Sequence, residues 1–173
     1  MVIPSLVGPS LARRANKAGT GGEVLTQLRR FVLLLTVAVW QGGFVFYAAV
    51  VVPTGTDVHG HFGQGLVTQR VTHWLNLFGL LAHAVYFWEL MATRPRVWRW
   101  VLWAVSLVML NALAVLHLQM DGMIDVPANA VADGFRGWHI AYLWLSTGQW
   151  LIAGVLGWVA VSNRVHFARP PVH

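Results

Sequence analysis

The chain contains no cysteine and few charged residues. Cysteine is absent from its 173 residues, and only six residues are acidic. This absence excludes disulfides, thiolate catalysis, and metal or iron–sulfur sites ligated by cysteine. Any metal must therefore be bound by histidine, aspartate, glutamate or methionine. Charged residues form 10% of the chain and hydrophobic residues 57%, which leaves too little polar surface for an ordinary soluble domain of this size.

Common catalytic motifs are also missing. The sequence has no HExxH zinc motif, EF-hand loop, glycine-rich phosphate loop or nucleophile elbow. Ser146 and Thr147 have no general base at a fixed spacing from them. An enzyme is therefore the least favoured function class, although it stays open.

What the chain does contain is four long apolar stretches. A membrane with a hydrocarbon core about 30 Å thick is crossed by roughly 20 helical residues. The stretches lack the alternating pattern of a membrane β-barrel, so helices are favoured. They cover residues 31–52, 71–91, 97–118 and 138–161. We predict an all-α, integral membrane four-helix bundle, with residues 1–30 as an N-terminal arm and residues 162–173 as a tail.

Basic residues predict the orientation of this bundle. Positively charged residues near membrane spans stay in the cytoplasm, whereas acidic residues contribute little. They cluster before the first span, between the second and third spans, and after the fourth: Arg13, Arg14, Lys17, Arg29, Arg30, Arg94, Arg96, Arg99, Arg164 and Arg169. We therefore predict a multi-pass protein of the bacterial inner (cytoplasmic) membrane with both termini cytoplasmic. The net charge of +6 then reflects topology, and a nucleic-acid partner is not expected because no basic stripe interleaved with aromatic residues occurs.

Three histidines fall at the predicted outer ends of three spans. His73 begins the second span, His117 ends the third and His139 begins the fourth. Asp121 follows His117 by four residues, so both share a helical face if the third helix continues through Met120. Imidazole and carboxylate groups on neighbouring helices are suitable ligands for a transition metal ion, copper or zinc. The predicted metal ligands are thus His73, His117, Asp121 and His139, with Met120 or Met123 as soft ligands for copper.

Two other interpretations of these histidines stay open. Two of His73, His117 and His139 are candidate axial ligands of a b-type haem, since His117 and His73 are each matched in depth to His139. Alternatively, the rings lie in the membrane interface, where water solvates them and no ligand is needed.

A second polar group lies deeper in the predicted spans. Buried polar side chains in a membrane require partners, so these residues are expected to face inward. They either hydrogen-bond across the bundle as structural contacts or form a polar track toward Glu89 for protons, ions or a quinone. Asn76 is placed to orient the ring of His73. The group comprises Gln41, Asn76, His83, Asn111 and Gln149.

The two halves of the chain share one spacing. Arg70 precedes His73 by three residues, and Arg136 precedes His139 by three residues. This spacing suggests two repeated helical hairpins related by an axis along the membrane normal.

Short motifs carry a resemblance to known membrane families. The segment Trp40-Gln-Gly-Gly43, followed by aromatic and small residues up to Pro53, resembles the first helix of the small four-helix membrane proteins grouped as the domain of unknown function 4149 and TMEM205-like proteins. It is also similar to the first helices of the CopD-type copper-resistance membrane family. The segments 69–76 and 142–150 are of the same kind.

These resemblances imply a four-helix fold and, through the copper family, metal handling at the outer face. This chain lacks the longer multi-span architecture of CopD-type transporters, so a homo-oligomer or a larger membrane complex is expected in addition to the lipid bilayer. Pro53-Thr-Gly55 is expected to end the first helix and form the outer turn. We thus expect metal or haem binding linked to metal handling or electron transfer. The alternative is a non-catalytic accessory subunit of a respiratory or photosynthetic complex.

Overall fold

The structure is a computed structural model that describes residues 9–93 and 95–162. These residues are almost entirely helical. The helices are α1 (Pro9–Phe46), α2 (Val52–Thr93), α3 (Val97–Asp121) and α4 (Phe135–Ser162), and a π-helical turn, Tyr47–Val51, joins α1 to α2. The predicted all-α class is therefore confirmed. Residues 1–8 of the predicted arm and 163–173 of the predicted tail lie outside the described residues.

Within the described residues, three helical segments are long and apolar enough to cross a membrane. They are Gly21–Thr93, Val97–Asp121 and Phe135–Ala160. The first has 73 residues because α1, the π turn and α2 follow one another without a loop. Length and apolar composition together indicate a membrane protein.

The first segment folds back on itself within α2. Gly60 has φ 72° and ψ 173°, a conformation outside the helical region. After it, α2 runs antiparallel to α1: Tyr47 contacts Thr68 near Gly60, and Arg29 contacts Glu89 at the far end. The segment therefore contributes two antiparallel helical arms, of residues 21–59 and 61–93.

The prediction that Pro53-Thr-Gly55 ends the first helix and forms the outer turn is wrong. Helical conformation continues through these residues, and the chain reverses at Gly60 instead. Proline lacks a backbone N–H and crowds the preceding helical turn. Here the π turn lies directly before Pro53, with the Val52 N–H donating to the Tyr47 carbonyl. The wider turn accommodates the proline without ending the helix.

The surface of the molecule is apolar and much of its interior is polar. Large hydrophobic side chains are exposed along every helix, among them Leu35, Trp74, Val108 and Trp144. A soluble protein rarely exposes such extended apolar faces. Buried side chains include many polar ones: Arg29, Gln64, Thr72, His83, Glu89, Arg99, Ser106, His117, Ser146 and Gln149. This inverted distribution is what a bilayer environment favours.

The helices pack in a ring. α1 contacts α2, α2 contacts α3, α3 contacts α4, and α4 returns to α1. Trp40 of α1, Ala82 of α2 and Ala153 of α4 meet in the middle of the molecule. A short hairpin of strands β1 (Ile124–Asp125) and β2 (Ala130–Val131) connects α3 to α4. The hairpin lies at the end of the molecule where His73 and His117 are found.

Candidate metal site and the adjoining cavity

α3 provides two of the predicted ligands. The helix continues to Asp121, as the spacing argument required, and His117 Nε2 lies 3.7 Å from Asp121 Oδ2. His117 faces the interior and is only 4% exposed. Asp121 is partly buried, so its carboxylate is reachable from the end of the bundle. The i, i+4 relation therefore aims both side chains at one point.

His73 of α2 completes a three-residue cluster. His73 Nε2 lies 3.6 Å from the same Asp121 oxygen, and the His73 and His117 rings meet edge to face with centroids 4.5 Å apart. Ligand atoms of His73, His117 and Asp121 all lie within 4.8 Å of one another. In a tetrahedral site, metal–ligand bonds of about 2.1 Å separate neighbouring ligand atoms by about 3.4 Å. Both histidine–aspartate separations are already close to that value.

The buried ring of His117 is oriented for ligation. Its Nε2 atom is buried and has no hydrogen-bond partner among the described residues. The ring also interacts with the backbone of Gln69. A neutral imidazole that donated from Nδ1 would leave the lone pair of Nε2 available to a metal ion. A histidine ligand held by a backbone carbonyl through its other nitrogen is the usual arrangement at protein metal sites.

His139 does not join this cluster. Its ring stacks on Phe135, with centroids 6.0 Å apart and an interplanar angle of 13°, and its side chain is exposed. Met120 is buried beside the cluster, whereas Met123 lies on the hairpin side, near Gly134. The structure therefore brings together three of the four predicted metal ligands, with Met120 as a neighbouring thioether.

A cavity of about 540 Å³ adjoins the cluster. All four helices and the hairpin contribute to its wall, and His117, Asp121 and His139 line it. Ile124 and Val131 of the hairpin form part of the wall as well. The volume lies in the range of about 300–1,000 Å³ that is common for small-molecule sites.

His83 of the predicted polar track has a structural environment. Its Nδ1 lies 2.7 Å from the Gly79 carbonyl oxygen and its Nε2 lies 3.0 Å from Ser106 Oγ. A carbonyl only accepts, so Nδ1–H donates to Gly79 and Nε2 accepts from the Ser106 hydroxyl. Both ring nitrogens are thus satisfied, and the contact joins α2 to α3.

The other predicted track residues do not form one chain of contacts. Gln41 Nε2 donates to the Trp150 carbonyl at 3.3 Å, and Gln149 is buried with an Nε2 that has no hydrogen-bond partner among the described residues. Asn111 was expected to face inward, and this is wrong: it is exposed and donates to the Leu107 carbonyl of its own helix. Asn76 is partly buried and interacts with the Tyr142 hydroxyl rather than orienting His73.

The cavity wall also contains a polar group that was not predicted from the sequence. The Tyr47 hydroxyl donates to Thr68 Oγ1 at 2.6 Å, and the Thr68 hydroxyl donates to the backbone carbonyl oxygen of Gln64 at 2.9 Å. The buried amide Nε2 of Gln64 lies 3.5 Å from both hydroxyl oxygens. Gln64 and Thr68 fall between the predicted first and second spans, so apolar length gave no signal for them. Their i, i+4 spacing was the available clue.

Comparison with known proteins identifies no relative. No protein family, no characterised protein and no solved structure matches this chain. Function must therefore be argued from the site itself.

Proposed function

We propose that this chain is a multi-pass membrane protein that binds one transition metal ion, zinc or copper, through His73, His117 and Asp121. The observation that carries the proposal is the buried Nε2 of His117, which has no hydrogen-bond partner within residues 9–93 and 95–162 and lies near a carboxylate and a second imidazole. A buried polar atom without a partner costs about 1–3 kcal/mol. Metal ligation would remove that cost.

The proposed topology follows from charge and packing. Both termini and the connection between α2 and α3 are cytoplasmic, because most basic residues lie there. The two arms of the first segment, with α3 and α4, make a four-helix bundle in a bacterial inner membrane. The metal site then lies at the outer end. This proposal includes the repeat relation between the two hairpins and the resemblance to the CopD-type and TMEM205-like families. The assignment of the metal ligands does not depend on either.

The ligand set supports a site with an open coordination position. Three protein ligands leave at least one position of a tetrahedral ion for water or another molecule. Two imidazoles and a carboxylate suit zinc or Cu(II), and the nearby thioether of Met120 would favour Cu(I). An ion is favoured over haem because His73 and His117 meet directly, edge to face, which leaves no space for a porphyrin between them. Haem ligation through His139 would be detected by the visible spectrum of the purified protein.

The experiment measures metal content in the purified protein. Protein purified in detergent without added metal is examined by elemental analysis and by its visible spectrum. One zinc or copper ion per chain, with no Soret band, is expected. A Soret band would show that the protein binds haem instead of a metal ion. A colourless, metal-free protein that also fails to bind added zinc would contradict both metal and haem binding and favour the accessory-subunit alternative.

Substitutions then locate the ion. His117→Ala is expected to weaken zinc binding by more than about 100-fold, since even outer-shell substitutions cost about 10–100-fold. His59→Ala is the matched control, because His59 is an exposed histidine outside the cluster. His139→Ala is expected to retain the ion. Wild-type metal content in His117→Ala would contradict the assignment.

A further inference from the structure

The cavity beside the metal site has a wall suited to a ring compound. Aromatic residues approach it from the π turn and α1, from α2 and from α4. Aromatic side chains bind flat rings through stacked and edge-to-face contacts. The five aromatic residues are Phe44, Tyr47, Phe62, Phe135 and Tyr142.

The charge of the wall restricts the ligand further. The lining residues include no lysine or arginine, and Asp121 is their single acidic residue. An anionic ligand would lose its hydration without gaining a lysine or arginine partner, so it is disfavoured. A positively charged ligand would meet a single carboxylate in a wall without any other acidic residue, so burial of its charge is costly as well. The wall therefore fits a neutral molecule.

Gln64 is a buried polar anchor in this wall. Gln64 is only 3% exposed, and among the residues that the structure describes its Nε2 atom makes two hydrogen-bond contacts, both of 3.5 Å, to Tyr47 and Thr68. Both contacts are at the long limit for a hydrogen bond. The two amide N–H groups therefore retain capacity to donate to a stronger acceptor, such as a carbonyl oxygen.

Gly55 leaves room for this amide. A methyl group at Gly55 would overlap the Gln64 side-chain oxygen. The missing side chain at Gly55 therefore provides the space that the Gln64 amide occupies beside Tyr47.

We infer that this cavity binds a neutral, lipid-soluble ring compound with a carbonyl oxygen, the chemical class of the quinones, with the oxygen accepting a hydrogen bond from Gln64. The inference does not rest on the metal ion, since the aromatic wall and Gln64 are separate from the three metal ligands.

The test titrates the purified full chain with menadione, a small naphthoquinone, by calorimetry at fixed detergent concentration. The chain has no cysteine, so menadione cannot form thioether adducts with it. Saturable binding at one site per chain is expected, with and without EDTA. 2-Methylnaphthalene has the same ring without oxygens, and it should bind about tenfold more weakly, the loss typical of one buried hydrogen bond. Equal binding of both compounds would overturn the assignment of Gln64 as donor.

Variants place the compound in the cavity. Ala48→Phe adds a ring at a position that lines the cavity, whereas the control Ala49→Phe adds it at the neighbouring exposed position outside the lining. Ala48→Phe is expected to abolish saturable binding and Ala49→Phe to preserve it. Gln64→Leu should weaken menadione binding about tenfold and leave 2-methylnaphthalene unchanged.

Thermal unfolding in detergent serves as the folding control, and zinc binding separates the two proposals. Ala48→Phe and Gln64→Leu should bind zinc as the wild type does. Menadione binding that survives in Ala48→Phe overturns the cavity as its site. If palmitate displaces menadione and the cavity shows no preference for menadione over palmitate, the cavity is an acyl-chain site. That result would overturn the inference, whatever the metal result.

Discussion

Single buried polar residues define both the candidate site and the interior of the bundle. His83 has partners for both ring nitrogens, whereas Nε2 of His117 has no hydrogen-bond partner in the part of the chain that the structure describes. Both rings are buried to a similar degree, so burial alone does not distinguish a structural histidine from a ligand. The hydrogen-bond inventory does, because a metal ligand needs an available lone pair.

Buried charge at the opposite end of the bundle leads to a prediction about stability. Glu89 pairs with Arg29 and also interacts with the buried Arg99. Glu89→Gln therefore removes the partner of two buried cations, and it should lower the free energy of unfolding by about 3–5 kcal/mol. Arg29→Gln should cost less, because Glu89 keeps Arg99. Thermal unfolding in detergent measures both.

Glu23→Gln is the control for this pair, since Glu23 is an exposed acid on α1. It should change the unfolding free energy by less than about 0.5 kcal/mol. A larger loss in Arg29→Gln than in Glu89→Gln would contradict the shared role of Glu89.

At the scale of helices, the path of the first segment depends on two backbone features. The π turn at Tyr47–Val51 precedes Pro53, and the left-handed φ of Gly60 reverses the chain. Gly79 allows close contact between the arms, since a methyl group there would lie 3.0 Å from Trp40 and 3.1 Å from Leu110. Gly42 has open space around it. A methyl group at Gly43 would lie 3.9 Å from Leu75, an ordinary van der Waals distance. The closest helix contact of these three glycines is therefore made at Gly79.

Gly60 gives the prediction at this scale. Its φ of 72° and ψ of 173° lie in a region that is essentially restricted to glycine and costs other residues about 1–3 kcal/mol. Gly60→Ala should lower the free energy of unfolding by about that amount. Gly42→Ala, in an exposed helical position, should raise it by about 0.5–1 kcal/mol. Thermal unfolding in detergent measures both changes. Equal changes in the free energy of unfolding for the two variants would contradict the assigned conformation of Gly60.

For the whole molecule, the predicted orientation is the property that can be tested without any ligand. The absence of cysteine means that a single introduced cysteine is the only thiol. Ala128→Cys places it in the exposed turn of the hairpin, and Ala92→Cys places it at the exposed end of α2.

We expect a membrane-impermeant maleimide to label Ala128→Cys in spheroplasts, because the hairpin is assigned to the outer face. Ala92→Cys should be labelled only after permeabilisation. Labelling in the opposite order would invert the topology and place the metal site at the cytoplasmic face.

Sequence patterns predicted some parts of the site because those parts depend on neighbours along one helix. His117 and Asp121 share a face through their spacing alone, and continuation of α3 to Asp121 confirmed it. The inward face of α3 runs through Ser106, Leu110, Leu113, His117 and Met120. Asn111 directly follows Leu110 and so falls off this face, a helical spacing signal that was present in the sequence but outweighed by the residue's polarity.

By itself, the sequence determined the all-α class, the apolar segments long enough to span a membrane and the metal-ligand types available, because these follow from composition and from periodicity within each segment. Only the tertiary structure decided that His73 meets His117 and Asp121 while His139 stacks on Phe135. It also placed Gln64 and Tyr47 in one cavity wall. The physical reason is that contacts between helices depend on the rotation of each helix about its axis and on where the chain reverses. The reversal is set by the backbone conformation of Gly60 and the close packing by contacts at Gly79, and the spacing of ligands along a single helix reveals neither.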